Sequence, residues 1–202
     1  GRNVTVSVSA SKAWFDAPER RFPVSIDPTF TTWTSDPNTL DTFVASNSST
    51  PQSAAVNLEV GPLSTNTAIK RRAFLRFDLS SIQGFNRQVT SAELNLWNSS
   101  SPSCTAKAME VRNLTSAFSS STVWSNQPSM GSTVVSSSFA KGFSSSCPAG
   151  VQTINVQPIV QDWMYATTNY GFGLKAASET DALADKTVLS GESFLPPKLV
   201  VT

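Results

Sequence analysis

Residues 72–79 read Arg72-Ala73-Phe74-Leu75-Arg76-Phe77-Asp78-Leu79, and residues 92–97 read Ala92-Glu93-Leu94-Asn95-Leu96-Trp97. Both alternate with a period of two. Successive side chains leave a strand on opposite faces, so this period marks a strand with one face buried. Ala73, Leu75, Phe77 and Leu79 oppose Phe74, Arg76 and Asp78, while Ala92, Leu94 and Leu96 oppose Glu93, Asn95 and Trp97. Working outward, the same period recurs at Val4, Val6 and Val8; at Phe22, Val24 and Ile26; at Val56, Leu58 and Val60; and at Met109 and Val111. It returns over 151–156, at Phe172, Leu174 and Ala176, and at Leu199 and Val201. Turn residues separate these runs, as Gly61-Pro62 does after Val60.

One segment departs from this pattern. Pro158-Ile159-Val160-Gln161-Asp162-Trp163-Met164-Tyr165 places Ile159, Val160 and Trp163 at helical spacing, with Pro158 suited to a first helical position and Asn169 and Gly171 beyond as stop signals. Many short strands and one short helix predict an all-β, jelly-roll-like β-sandwich. An immunoglobulin-like sandwich is the alternative, since Trp124 lies between Cys104 and Cys147. The Ser/Thr-rich sequence around that Trp, however, has no convincing buried strand. The regular series starts at Asp41-Thr42-Phe43-Val44, which puts a boundary at 35–38. Residues 1–36 then form a leader with strands and a loop carrying Trp14, either laid on the sandwich or ending a preceding module; residues 37–202 form the sandwich.

Composition excludes several function classes. Of 202 residues 39% are hydrophobic, enough for a core, and 14% are charged, against about 25% in an average globular chain. The net charge is +1 and the longest like-charge run is Lys70-Arg71-Arg72, read as a solvated strand start, so no basic stripe for nucleic acid is present. No apolar run reaches the roughly 18 residues of a membrane span. An export signal is expected upstream of the fragment. The chain has no His, which removes the commonest general base and the Ser-His and Cys-His nucleophile pairs. Its two cysteines, Cys104 and Cys147, lie in Ser/Pro-rich stretches. The expectation is a disulfide between loops in an oxidising, extracellular setting rather than a catalytic thiol.

Exposed aromatics are the candidates for a binding surface, because flat sugar faces stack on rings while polar neighbours fix orientation. Trp33, Trp97, Trp124 and Tyr165 are considered. Trp97 shares the face opposite Leu94 and Leu96 with Glu93 and Asn95, so these three form the candidate ligand site, and packing is the competing role for each Trp. Calcium is the metal suited to the oxygen ligands available. Glu179, Asp181 and Asp185 cluster in a loop and Asp36 and Asp41 flank the first regular strand, but no ordered ligand spacing exists, so surface carboxylates are expected and no cofactor is assigned. Paired carboxylates could in principle cleave glycosides, yet scattered acids carry no such signal and the chain reads as no enzyme. Asn-x-Ser/Thr sites at Asn3, Asn47, Asn98 and Asn113 are expected in exposed loops.

Taken in order, several segments resemble the DNRLRE domains of secreted and surface bacterial proteins, notably the large Rhs/YD-repeat proteins of actinomycetes. These are Asp41-Thr42-Phe43-Val44, Leu58-Glu59-Val60-Gly61, the 72–79 stretch, the 89–96 stretch and Ser121-Thr122-Val123-Trp124-Ser125-Asn126-Gln127-Pro128. Gly142-Phe143-Ser144-Ser145-Ser146-Cys147, the 156–163 helix, Gly171-Phe172-Gly173-Leu174 and Pro197-Lys198-Leu199-Val200-Val201 complete the match, and Phe22 to Thr29 resembles what precedes the domain in Rhs-type proteins. The resemblance implies a jelly-roll-like sandwich outside the cell, Cys104 paired with Cys147, and no catalytic motif. It favours a structural or adhesion module of a large secreted parent, with other domains of that parent as partners. The alternative is a carbohydrate-binding module that anchors its parent to polysaccharide.

Overall fold

The computed structural model of the chain describes residues 11–18, 29–83, 88–165 and 167–202. The expected strands at 4–8 and 22–26, and Asn3, lie outside these residues. In chain order come α1 (Lys12–Phe15), β1 (Phe30–Trp33), β2 (Leu40–Ala45), β3 (Asn57–Leu63), β4 (Asn66–Arg76), β5 (Ala92–Ser100) and β6 (Lys107–Leu114). Then follow β7 (Met130–Phe139), β8 (Gly150–Asn155), α2 (Gln157–Tyr165), β9 (Phe172–Ala176), β10 (Lys186–Leu189) and β11 (Lys198–Val201).

All strand pairs among the described residues are antiparallel. One sheet centres on β5, with β8 along one side and β11 and β10 sharing the other; β1 extends it beyond β11. Register places Leu94 opposite both Ile154 and Leu199, so three buried side chains meet in a row. The second sheet runs β2, β4, β9, β6, β7. There Leu75 faces Phe172, and Val111 faces Leu174. The inward residues of both sheets form one hydrophobic cluster, and Leu75, Phe77, Leu79, Leu94 and Leu96 are all within it. The architecture is thus an all-β sandwich, as the period-two runs predict.

β3 stitches the sheets together. Its first half pairs with β10 and its second half with β4. The switch falls at Gly61, where φ is +96° and a Cβ would stand 2.4 Å from the Ala184 carbonyl oxygen. Only glycine accepts both the left-handed backbone and that approach. α2 follows the Pro158 signal and buries Ile159, Val160, Trp163 and Met164, with the Trp163 ring 4.7 Å from Phe172. Cys104 and Cys147 are disulfide-bonded, their Cα atoms 5.6 Å apart.

As expected, no buried strand surrounds Trp124, which sits in a short 3-10 turn; β7 beyond it has mostly half-exposed side chains. Four expectations fail. Val56 is exposed, because β3 begins only at Asn57. Residues 12–15 form a helical turn rather than a loop. Lys70-Arg71-Arg72 is no solvated strand start: Arg71 is buried, donating to Glu59, Asp185 and the Gly61 and Pro62 carbonyls, and so joins β4 to the β3 bend and to β10. Asn98 is buried, its amide donating to the Ser100 and Thr187 carbonyls, and Asn113 lies within β6; of these sites Asn47 is the exposed turn.

Candidate functional site

The second sheet also carries a layer on its outer face. Val44, Phe74, Leu114 and Phe118 pack there, with Trp124 and Met130 against them, so the 115–129 loop is folded down over the strands. Beside this layer opens a groove of about 590 Å³ lined by Arg72, Arg112, Gln127, Pro128, Met130 and Lys175, among others. Strand parity puts the cations there. Arg72 is outward because Ala73 is inward, and Lys175 and Gly173 flank inward Leu174; Gly173 lies opposite both Phe74 and Arg112.

The cations are held in place by the groove itself. The Arg72 guanidinium forks onto Glu179, Nε to Oε1 and Nη2 to Oε2, both 2.7 Å. Its Nη1 donates to Gln127 Oε1 at 3.1 Å, and its Cζ lies 4.9 Å from the centre of the Trp124 ring. Gln127 in turn donates from Nε2 to the Trp124 carbonyl, which orients the amide. Burial pushes the Glu179 carboxyl up, but the Arg72 hydrogen bond and charge, with Lys175 and Lys70, outweigh it and hold it below the usual carboxylate range. Arg112 donates to Glu110 at 2.8 Å and to the Gly131 carbonyl at 3.3 Å. Lys175 Nζ stands 4.0 Å from both Glu110 and Glu179, beyond hydrogen-bond reach of either. Three cations thus face two carboxylates, and the Lys175 ammonium is held by charge with its donors not committed to those acids.

A second, smaller groove of about 250 Å³ lies on the outer face of the first sheet. Trp33, Asn95, Trp97, Val151, Phe194 and Lys198 are among its lining residues. Register explains the assembly: Trp33 sits opposite Lys198, Lys198 opposite Asn95, and Trp97 opposite Val151. Trp97 is half-buried, whereas Trp33 is 39% and Phe194 85% exposed. Asn95 accepts from Thr153 Oγ1 at 2.7 Å. Of the three candidate ligand residues, Trp97 and Asn95 line this groove; Glu93, on the same face and exposed, does not. Trp124 underlies the larger groove, and Tyr165 is exposed at the end of α2.

The acids expected as surface carboxylates are instead paired. Glu179 binds Arg72, Asp181 binds Lys107 at 2.7 Å, and Asp185 binds Arg71. Each is drawn off by a strand cation, and among the described residues no three His, Cys, Asp or Glu side chains gather as a metal cluster. Asp36 accepts from the Trp33 amide and Thr32 hydroxyl. Asp41 is buried, because its position opposite Leu75 turns it inward. The cationic groove was missed in the sequence because Arg72, Arg112 and Lys175 are far apart along the chain. Their outward parity was readable; which strands pair was not.

The family model for carbohydrate-binding module family 96 matches residues 31–202. No curated protein matches the chain.

Proposed function

We propose that this chain, which belongs to carbohydrate-binding module family 96, holds an anionic polysaccharide across the groove of Arg72, Arg112 and Lys175 and performs no catalysis. The observation that carries this reading is the Lys175 ammonium, 4.0 Å from two carboxylates and hydrogen-bonded to neither, beside two guanidinium groups already fixed in orientation. Cations that are pre-positioned lose little freedom when a carboxylate or sulfate ester docks, and charge-assisted hydrogen bonds are the stronger kind. Affinity electrophoresis against a polyuronate, a sulfated glycan and a neutral glucan tests it. Retardation by an acidic polymer should weaken by about tenfold in Lys175→Ala and Arg112→Ala, the loss of one charged hydrogen bond of roughly 1.5 kcal/mol. Retardation by the neutral polymer alone would refute the acidic assignment.

A second reading uses Trp97 and Asn95. The exposed rings of Trp33 and Phe194 beside Trp97 suit stacking on a neutral sugar, with Lys198 and Asn95 to orient it. Under this reading Trp97→Ala abolishes retardation by the neutral polymer and Lys175→Ala does not. In the parent protein, the module has a structural or adhesion role in a large secreted or surface bacterial protein of the Rhs type, with the leader 1–36 joined to the sandwich. The disulfide supports an extracellular setting, the resemblance to DNRLRE domains supports the parent, and the pairing of β1 with β11 supports the joining.

A further inference from the structure

An edge strand shows a row of backbone N–H and C=O groups that another strand can pair with unless something blocks it. Among the described residues four strands have a partner on one side only: β1, β2, β7 and β8. Three of them are blunted. β1 has only four residues. β2 carries the buried Asp41, turned inward. On β8 the Lys141 ammonium caps the Val151 carbonyl. β7 has no such device along its regular ladder, 134–139, which holds no proline and no charge. Over 134–138, β6 is the one hydrogen-bonding partner of the backbone among the described residues. α2 and β8 reach β7 from its inward face, where Thr133 donates to Asp162 and Gln152 donates to Ser137. Val134, Ser136 and Ser138 alternate with that face and are exposed.

The strand that fits this edge is β7 itself. A two-fold axis at Ser136, normal to the sheet, sets Ser136 against Ser136 of a second copy and Val134 against Ser138 in both directions. The outward faces of both copies then stay on one side, as the period of two requires. Val134, 43% exposed, gains cover from a small side chain. No like charges meet on the joining strands. The nearest, Glu110, stands opposite Ser136 one strand further in and is held by Arg112; its twin is about three strand spacings away, roughly 14 Å and beyond the Debye length at physiological salt. We propose that the protein pairs with a second copy of itself through β7, antiparallel and centred on Ser136, so that the second sheet of each copy runs into that of the other. Ser136, Glu110 and Lys175 form one row across β7, β6 and β9. Pairing places these rows end to end, with the two Lys175 about five strand spacings, roughly 24 Å, apart on one face. One consequence rests on the anionic-polysaccharide reading: a single polymer then meets two grooves, and its second contact is intramolecular.

Sedimentation equilibrium of the protein, with no polysaccharide present, tests the pairing over about 5 to 500 µM, a range set by the small size of an edge-to-edge contact. The wild type should pass from monomer toward dimer mass as concentration rises. Ser136→Lys with Ser138→Lys, at exposed positions that leave the core untouched, should stay at monomer mass throughout. Thr153→Lys on β8 should behave as wild type. Ser136→Cys should form a covalent dimer under mild oxidation, because facing Cα atoms in an antiparallel pair lie about 4.5–5.5 Å apart, within disulfide reach. The two native cysteines are already bonded to each other and do not compete. Thr153→Cys should give no such dimer. A wild type that stays monomeric at every concentration, a dimer that survives the double lysine substitution, or equal cross-linking at 136 and 153 would overturn the proposal. None of these results bears on the polysaccharide reading, which the retardation assays test separately.

Discussion

At the scale of single residues, burial decides the charges. Desolvation raises the Asp41 carboxyl from 3.8 to about 6; the Thr34 hydroxyl and the Gly191 amide oppose this and the Glu192 charge adds to it. The folded state therefore binds a proton that the unfolded state releases between those two values. For an acid with a raised folded pKa, stability is present at low pH and lost as pH climbs through the folded value. The stability of Asp41→Asn relative to wild type should rise from near zero at pH 4 to on the order of 3 kcal/mol above pH 6, at 1.36 kcal/mol per pKa unit. Urea midpoints across that range measure it, and a flat difference would contradict it. Lys186 has the opposite sign. Burial lowers it from 10.5 to about 8 despite the Asp185 charge, while its Nζ donates to the Phe139 carbonyl at 2.6 Å and lies 4.5 Å from the Phe139 ring centre. The unfolded chain binds the extra proton here, so this group adds stability as pH rises from about 8 to 10.5. Urea midpoints at pH 7.5 and 10 should show that gain in wild type and its absence in Lys186→Met.

At the scale of elements, the paired strands set the stability. Leu94 on β5 meets Ile154 and Leu199 from the two flanking strands, so Leu94→Ala should cost about 2–5 kcal/mol by chemical denaturation. A loss below about half a kilocalorie would mean that the cavity closes and β5 is not central. The disulfide closes a loop of 43 residues that spans β6 and β7. Chain entropy assigns such a loop about 4 kcal/mol, so Cys104→Ser with Cys147→Ser should shift the denaturation midpoint by a comparable energy. The elements legible in the sequence were those with one apolar face. β4, β5, β9 and α2 announce themselves by period, since Leu75, Leu94, Leu174 and Ile159 recur at fixed spacing. β7 did not, because Ser137 stands between Val135 and Phe139 on its inward face and interrupts the apolar period. Phe74 was readable as an outward residue, yet not as the centre of a second apolar layer, which requires the 115–129 loop to fold back over it. Arg71 and Asp185 are 114 positions apart, and no local pattern links them.

At the scale of the whole molecule, one sandwich presents two different outer faces. The first sheet offers an apolar groove with Trp33 and Trp97; the second offers fixed cations over an aromatic floor. The sequence made the aromatic face visible, because a Trp at an outward position stands out. It hid the cationic face, whose three charges come from β4, β6 and β9 and meet only after the strands pair. The disposition of charge is the stronger guide to ligand class, since the Lys175 donors are not taken up by the neighbouring carboxylates while the guanidinium groups are already oriented. The most direct measurement of this account is titration calorimetry with one polyuronate and with the same polymer after its carboxylates have been reduced to alcohols. Backbone, linkage and ring faces are then unchanged and only the charge differs. The account predicts binding to the polyuronate that weakens with added salt and is lost on reduction. Equal affinity for the two polymers would contradict it and move the site to the aromatic face.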